Sequence, residues 1–253
     1  MGPEDLIVHH GSHARPQAEP GESLLVVSWN IQHGLEVERA AAELSARDEL
    51  RNADIVLLQE MDELGTVRIA EALGLDYVYA AAGTHSQTGR NFGNAILSRW
   101  SMGESEALLL PYKAVIGGHP RVVVGATVSF GAIAIRACSV HTEIPSLSSG
   151  KRLRQFEAIA AATAGRRSEL LVLGGDFNTV TRRSINALAT RMASVGAARA
   201  SAGAGTTLRR GGREFTLDHV FVRGLIPDAA GVVREIGASD HRPLWVRIRV
   251  STG

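Results

Sequence analysis

Short apolar runs recur along the chain, and most of them stop at a polar or ionisable residue. The first, LLVVSWNI (Leu24 to Ile31), predicts a strand, and the Ala-rich EVERAAAELSARDELRNA after it (Glu36 to Ala53), free of Pro and Gly, predicts a helix. DIVLLQE (Asp54 to Glu60) reads as a buried strand ending in an acid, and TVRIAEALGL (Thr66 to Leu75) as a short helix that Gly74 stops. YVYAA then predicts a strand, AAGTHSQTGRNFG (Ala81 to Gly93) a loop rich in turn residues, and NAILSRW another strand.

Strands dominate the middle. EALLL, RVVVGATVSF (Arg121 to Phe130) and AIAIRACSVH (Ala132 to His141) follow one another, and Gly131 joins the last two in a tight antiparallel hairpin. In SSGKRLRQFEAIAAATAG (Ser148 to Gly165) the apolar residues Leu153, Phe156, Ile159 and Ala160 share one helical face. LLVLGGD reads as a buried strand, RRSINALATRMASVG as a helix and SAGAGTTLRRGGRE as a Gly-rich basic loop. FTLDHVFV and LWVRIRV are the closing strands. No repeat or linker divides residues 23–253, which predict one α/β domain of two sheets packed face to face with helices outside. Residues 1–22 read as a flexible polar leader, and HHGSH (His9 to His13) as part of it rather than as a metal site.

Composition narrows the core and the partners. With 45% hydrophobic but only 5% aromatic residues, the core must be built from Val, Leu, Ile and Ala. A net charge of +1 supplies no global field that would by itself recruit nucleic acid or an anionic membrane. Lys113 and Lys151 are the only lysines; the arginine bias reads either as base composition or as a choice of bidentate phosphate ligands. The single cysteine, Cys138, excludes an intrachain disulfide and reads as a buried small hydrophobe. No apolar run approaches the roughly 20 residues of a membrane helix, so no integral membrane association is expected. Residues 1–22 lack the apolar segment of a secretory signal. The expected setting is reducing and cytoplasmic, with a mature secreted chain as the alternative, and the expected state is a monomer.

The polar residues at strand ends carry the candidate chemistry. They are Asn30 in SWNIQ, Glu60 in LLQE, His141 in SVHTE, Asp176 and Asn178 in GGDFN, Asp218 in TLDHVF, and Asp240 with His241 in SDHRP. Each alone has an ordinary explanation: a turn residue at Asn30, a helix cap at Glu60, an Asx turn at Asp176 and Asn178. Together they place costly buried charge at one end of many strands. Strand alternation would aim Asp176 and Asn178 the same way. Carboxylates and amides without cysteine favour a hard cation, Mg²⁺ or Mn²⁺, whereas zinc would recruit more His or Cys. His141 and His241 sit beside acidic segments, which suits proton transfer, phosphate contact or ligation.

The ordered series WNIQ, LLQE, GNAILSR, SVHTE, GGDFN, LDHVFV and SDHRP, running from about Leu24 to Val250, resembles the endonuclease/exonuclease/phosphatase superfamily. The resemblance implies a four-layer α/β-β/α sandwich with its active site at one edge of the sheets, and metal-dependent hydrolysis of phosphoesters. It implies Glu60 as the main metal ligand, Asn30 holding metal or metal-bound water, and Asp240 as a further ligand. Asp176 and Asn178 would position or activate the attacking water and contact phosphate. Asp218 would orient His241, and His241 would contact phosphate or shuttle a proton. His141 would touch the phosphate, with Asn94 as a supporting residue at the pocket's edge. Asp176 and His241 both stand as candidate bases.

Substrate signals are weaker. Arg121 stands where the family often has an arginine and reads either as a phosphate contact or as one half of a salt bridge. Arg209, Arg210 and Arg213 read as a grip on a phosphate backbone or as a solvated loop. The expected activity is a Mg²⁺- or Mn²⁺-dependent phosphodiesterase or nuclease, with a phosphate ester as partner and nucleic acid among the candidates. A lipid or inositol-phosphate hydrolase is the alternative, with LLLPYKAVIGGHP (Leu108 to Pro120) as its one candidate membrane segment. A non-catalytic binding module is the third reading.

Overall fold

Two helical crossovers set the positions of the polar strand ends. The computed structural model describes residues 6–15, 20–85, 88–113, 115, 118–165 and 169–250. The first half runs β1 (Val8–Gly11), β2 (Ser23–Asn30), α1 (Val37–Ala46), β3 (Ile55–Met61), α2 (Glu63–Leu73), β4 (Asp76–Thr84), β5 (Asn91–Ser98) and β6 (Met102–Leu109). The second runs β7 (Val122–Phe130), β8 (Ile133–His141), α3 (Ser149–Ala162), β9 (Leu170–Asp176), α4 (Arg182–Ser194), β10 (Ala198–Arg199), β11 (Leu208–Arg210), β12 (Arg213–Phe215), β13 (Asp218–Arg223), β14 (Ile226–Val232) and β15 (Leu244–Arg249).

One sheet has the order β1-β4-β5-β3-β2-β15-β14, the other β10-β13-β9-β8-β7-β6, and β11 and β12 pair as a separate hairpin. β2 and β3 are parallel in the first sheet, as are β8 and β9 in the second. Parallel neighbours need a crossover, which α1 and α3 supply. The C-terminal ends of β2, β3, β8 and β9 carry Asn30, Glu60, His141 and Asp176, so topology alone delivers these residues to one edge.

Three apolar clusters define four layers. Leu24, Val26, Ile55, Leu57, Val124, Ala137 and Val172 fill the space between the sheets. Val27, Trp29, Val56 and Leu58 pack outward against Ala40, Leu44 and Ile69 of α1 and α2. Leu171, Leu173 and Phe221 pack against Phe156, Ile159, Leu188 and Met192 of α3 and α4. The central strands are therefore covered on both faces, and this is why they read as unbroken apolar runs.

Several expectations need correction. Part of the expected leader is ordered: β1 pairs antiparallel with β4, and His9 Nδ1 lies 2.9 Å from Glu63. Residues 1–5 and 16–19 of that leader lie outside the described residues. α1 stops at Ala46 because Arg47 turns extended. The expected basic loop contains the β11–β12 hairpin. β14 was not expected, because Pro227 and Asp228 disguise it; as an edge strand beside β15 it tolerates a proline.

Cys138 is buried at the centre of β8, and burial pushes its thiol pKa up to about 12. A thiol reagent at pH 8 should therefore label the native chain only as fast as the chain opens, and label it at once in denaturant. Rapid stoichiometric labelling of folded protein would contradict the packing around β8.

Candidate active site

Glu60 is turned into the cleft by its backbone. The pairing of β3 with β5 shifts register between Gln59 and Met61, leaving Glu60 as the extra residue of a bulge with φ 62°. Its Oε2 accepts the His33 backbone N–H at 2.9 Å, and the His33 ring Nδ1 lies 2.9 Å from the same oxygen. Gln32 and His33, at φ 47° and 58°, form the left-handed turn that brings His33 there. Burial opposes ionisation of Glu60, but His33 prevails and holds its pKa well below the usual range. The same contact, working against burial, raises the pKa of His33.

Asp176 ends β9, opposite both His141 on β8 and Asp218 on β13. Asn178 reaches the site by a turn, since its φ is 49° and its N–H bonds Asp176 Oδ1 at 2.8 Å. This is the Asx-type arrangement, and strand alternation plays no part in it. Arg152 of α3 fixes the turn from behind through a 2.5 Å bond from Nη2 to the Asn178 carbonyl.

Four side-chain nitrogens converge on Asp176 Oδ2. Asn30 Nδ2 lies at 3.1 Å, His141 Nε2 at 3.4 Å, Asn178 Nδ2 at 3.5 Å and His241 Nε2 at 3.8 Å. Asn30 Nδ2 also bonds Glu60 Oε1 at 3.1 Å, so the two carboxylates face each other across one amide. His241 Nδ1 lies 2.9 Å from Asp218 Oδ2, and Thr207 Oγ1 accepts the Asp218 N–H at 3.1 Å. The SDH loop is latched to β2 through a 2.7 Å bond from Ser239 Oγ to the Asn30 carbonyl.

The two histidines have opposite electrostatics. Burial and then Arg121 hold the pKa of His141 well below its ordinary value. For His241 burial acts the same way, but Asp218 and Asp176 overcome it and raise the pKa. Burial raises that of Asp176 despite the neighbouring His241, and Asp218 adds to the effect.

The remaining expected residues divide. Asn94 is buried between the sheets and donates to the Val122 and Ser139 carbonyls at 2.8 and 3.3 Å, a bracing role. Arg121 is also buried and directs its guanidinium to His141 and Glu143, the contact that the salt-bridge reading describes. Asp240 is exposed and stands outside the cluster of Asp176, Asp218 and His241. Arg209 and Arg210 lie exposed on β11, the strand whose Leu208 bridges to His241. His33 and Arg152 were not foreseen; only the placement of His33 three residues after Asn30 hinted at a role.

The donor set suits a hard divalent cation. Asp176, Asp218 and His241 present ligand atoms within 4.8 Å of one another, and Asp218 Oδ1 is buried without a hydrogen-bond partner among the described residues. Glu60, joined to Asp176 through Asn30 Nδ2, is a further carboxylate beside that group. Asn30 fits less well, because its Oδ1 accepts the Gln32 N–H at 3.0 Å and its amide hydrogens face the carboxylates.

The sequence profile of the Endonuclease/Exonuclease/phosphatase family matches residues 27–241, and the chain belongs to that family. No curated protein matches it in sequence. Solved structures share the fold. An endonuclease/exonuclease/phosphatase from Beutenbergia cavernae has a TM-score of 0.75 and 20% identity over 91% of this chain and 72% of its own. Bacteroides thetaiotaomicron mannosyl-6-phosphatase has a TM-score of 0.71 and 19% identity over 90% of this chain and all of its own, 100%. D. rerio TDP2, complexed with a single strand DNA product, has a TM-score of 0.70 and 18% identity, covering 91% and 100%. Among the described residues, no helix is long and apolar enough to cross a membrane.

Proposed function

We propose that the chain is a Mg²⁺- or Mn²⁺-dependent phosphoester hydrolase, most specifically a phosphodiesterase or nuclease. The observation that carries this reading is the convergence of four nitrogens on one buried carboxylate oxygen, Asp176 Oδ2. Such donors stabilise negative oxygen, whether it belongs to a carboxylate, a water losing its proton or a phosphoryl group. Glu60 and Asp218, whose Oδ1 has no hydrogen-bond partner among the described residues, would hold the cation. Bound there, it would neutralise the phosphate and polarise its phosphorus–oxygen bonds.

The chain's own residues divide the remaining work. Asp176 takes the proton of the attacking water at Oδ2. Its elevated pKa suits a base working near neutral pH, and such a base contributes about 10²–10⁴-fold. His241, protonated between Asp218 and Asp176, donates from Nε2 to the phosphoryl oxygens. His141 and Asn178 add neutral N–H donors. Asp218 fixes the ring of His241 through Nδ1, and His33 keeps Glu60 ionised.

The solved relatives include a DNA-bound protein and a sugar phosphatase, which agrees with a phosphate ester of either kind as substrate. A lipid or inositol-phosphate substrate is the second reading. Leu108, Leu109, Tyr112 and Val115 are all exposed, Val115 fully at 100%, on the segment leading to Arg121. A chelator-controlled screen over DNA, RNA, nucleotides, sugar phosphates, phosphoinositides and sphingomyelin separates these readings. EDTA should abolish hydrolysis and Mg²⁺ or Mn²⁺ restore it. Activity unchanged by EDTA would remove the cation from the account, and phosphodiesterase activity confined to sphingomyelin would select the lipid reading.

A further inference from the structure

We infer that Arg121 is a positioning residue that locks His141 into one tautomer, with Nδ1 bare and Nε2–H aimed at the reacting group. This rests on the hydrolase reading for its purpose but not for its geometry. Arg121 Nη1 lies 3.0 Å from His141 Nδ1 and Nη2 lies 3.2 Å from Glu143 Oε1. A guanidinium has only donors, so Nδ1 must accept and the ring hydrogen is left on Nε2. That nitrogen faces Asp176 Oδ2 at 3.4 Å and Glu60 Oε1 at 3.9 Å.

Glu143 and the Phe92 ring fix the Arg121 fork from two sides. Glu143 is 0% exposed, its N–H donates to Gln155 Oε1 at 2.9 Å, and its Oε1 also accepts the Ile144 N–H at 2.9 Å. The Arg121 guanidinium carbon sits 5.3 Å over the Phe92 ring. A buried ion pair is a poor device for stability alone, since apolar residues of similar volume often serve as well. This pair also spends a second charged N–H on a neutral imidazole, which a purely structural pair has no need to do. The chain therefore fixes its two site histidines oppositely: Asp218 keeps a hydrogen on His241 Nδ1, and Arg121 keeps one off His141 Nδ1. His141 acts only as a donor toward the substrate.

The test is a two-bond ¹⁵N–¹H correlation spectrum of the imidazoles in the chelated wild-type protein, with His141 assigned by its loss in His141→Gln. We expect a bare Nδ1 and a protonated Nε2 at His141. Arg121→Met alone strands a buried Glu143, so Arg121→Met/Glu143→Gln removes both charges together. In that variant we expect mixed tautomers and kcat lower by about 10–100-fold, the usual cost of losing a residue that orients a functional ligand. KM should stay within about twofold, because the loss falls on the transition state. Arg121→Lys, which keeps the charge without the fork, should fall between. A hydrogen on His141 Nδ1 in the wild type would overturn the inference. So would a folded double variant with the wild-type spectrum and kcat. The spectrum is read without substrate, so this failure is told apart from a failure of the hydrolase reading.

Discussion

Asp176→Ala should leave a folded chain that hydrolyses phosphoesters about 10²–10⁴-fold more slowly than the wild type, with the isosteric Asp176→Asn nearly as impaired. The effect is large because Asp176 is the point on which Asn30, His141, Asn178 and His241 converge. Stability should move the other way. Burial raises the folded-state pKa of Asp176 above its unfolded value, so the folded chain holds that proton more tightly. The carboxylate thus costs stability above its folded-state pKa, and that cost fades as pH falls toward the unfolded value of about 3.9. In chelator, Asp176→Asn should accordingly match or exceed the wild-type Tm at pH 8, with the difference shrinking toward about pH 4. Near-full hydrolysis by either variant, measured by kcat/KM with metal present, would refute the role given to Asp176.

Gly175→Ala should be the most damaging small substitution near the site. Gly175 adopts φ 152°, and a Cβ there would lie 1.8 Å from the Val140 carbonyl oxygen. The obstacle is the backbone of β8, which pairs with β9 through this register, so no side-chain rotation relieves it. One strand must shift against the other, and His141 and Asp176 end those two strands. Overpacking of this kind costs about 3 kcal/mol or more, roughly a 10 °C fall in Tm for a chain of this size, or failure to accumulate as soluble protein. Circular dichroism melts of the purified variant check it; a Tm within about 2 °C of the wild type would mean that the two strands are not so closely apposed.

These two positions also show how far the sequence could be read. The GGDFN motif was legible as a candidate because it was one of several polar strand ends, each of which alone has an ordinary explanation. The reason attached to it was incomplete: β9 ends at Asp176, and a left-handed Asn178 completes the turn. Glu60 was legible as an acid at a strand end, but its bulge depends on where β5 pairs with β3, which no local pattern encodes. The role of Arg121 was half legible. Arg121 and His141 lie equally far from Gly131, so a hairpin there sets them at the same end; the register that pairs Val123 with Val140 places His141 against Val122, one residue from Arg121. The third partner, Glu143, lies past the hairpin and could not be placed by counting. His33 was missed because its contact with Glu60 depends on two consecutive left-handed residues that leave no compositional mark beyond the glycine after them. Arg209, Arg210 and Asp240 were chosen for residue type and motif, and exposure is what sets them apart from the buried cluster.

The central proposal is that Glu60 and Asp218 hold a hard divalent cation beside Asp176 at the shared edge of the two sheets. Anomalous scattering from crystals soaked in Mn²⁺ tests it most directly. A manganese peak is expected in contact with Glu60 or Asp218, and is expected to be lost in Glu60→Gln/Asp218→Asn. Ordered crystals with no peak at that edge, or with manganese bound only elsewhere, would contradict it.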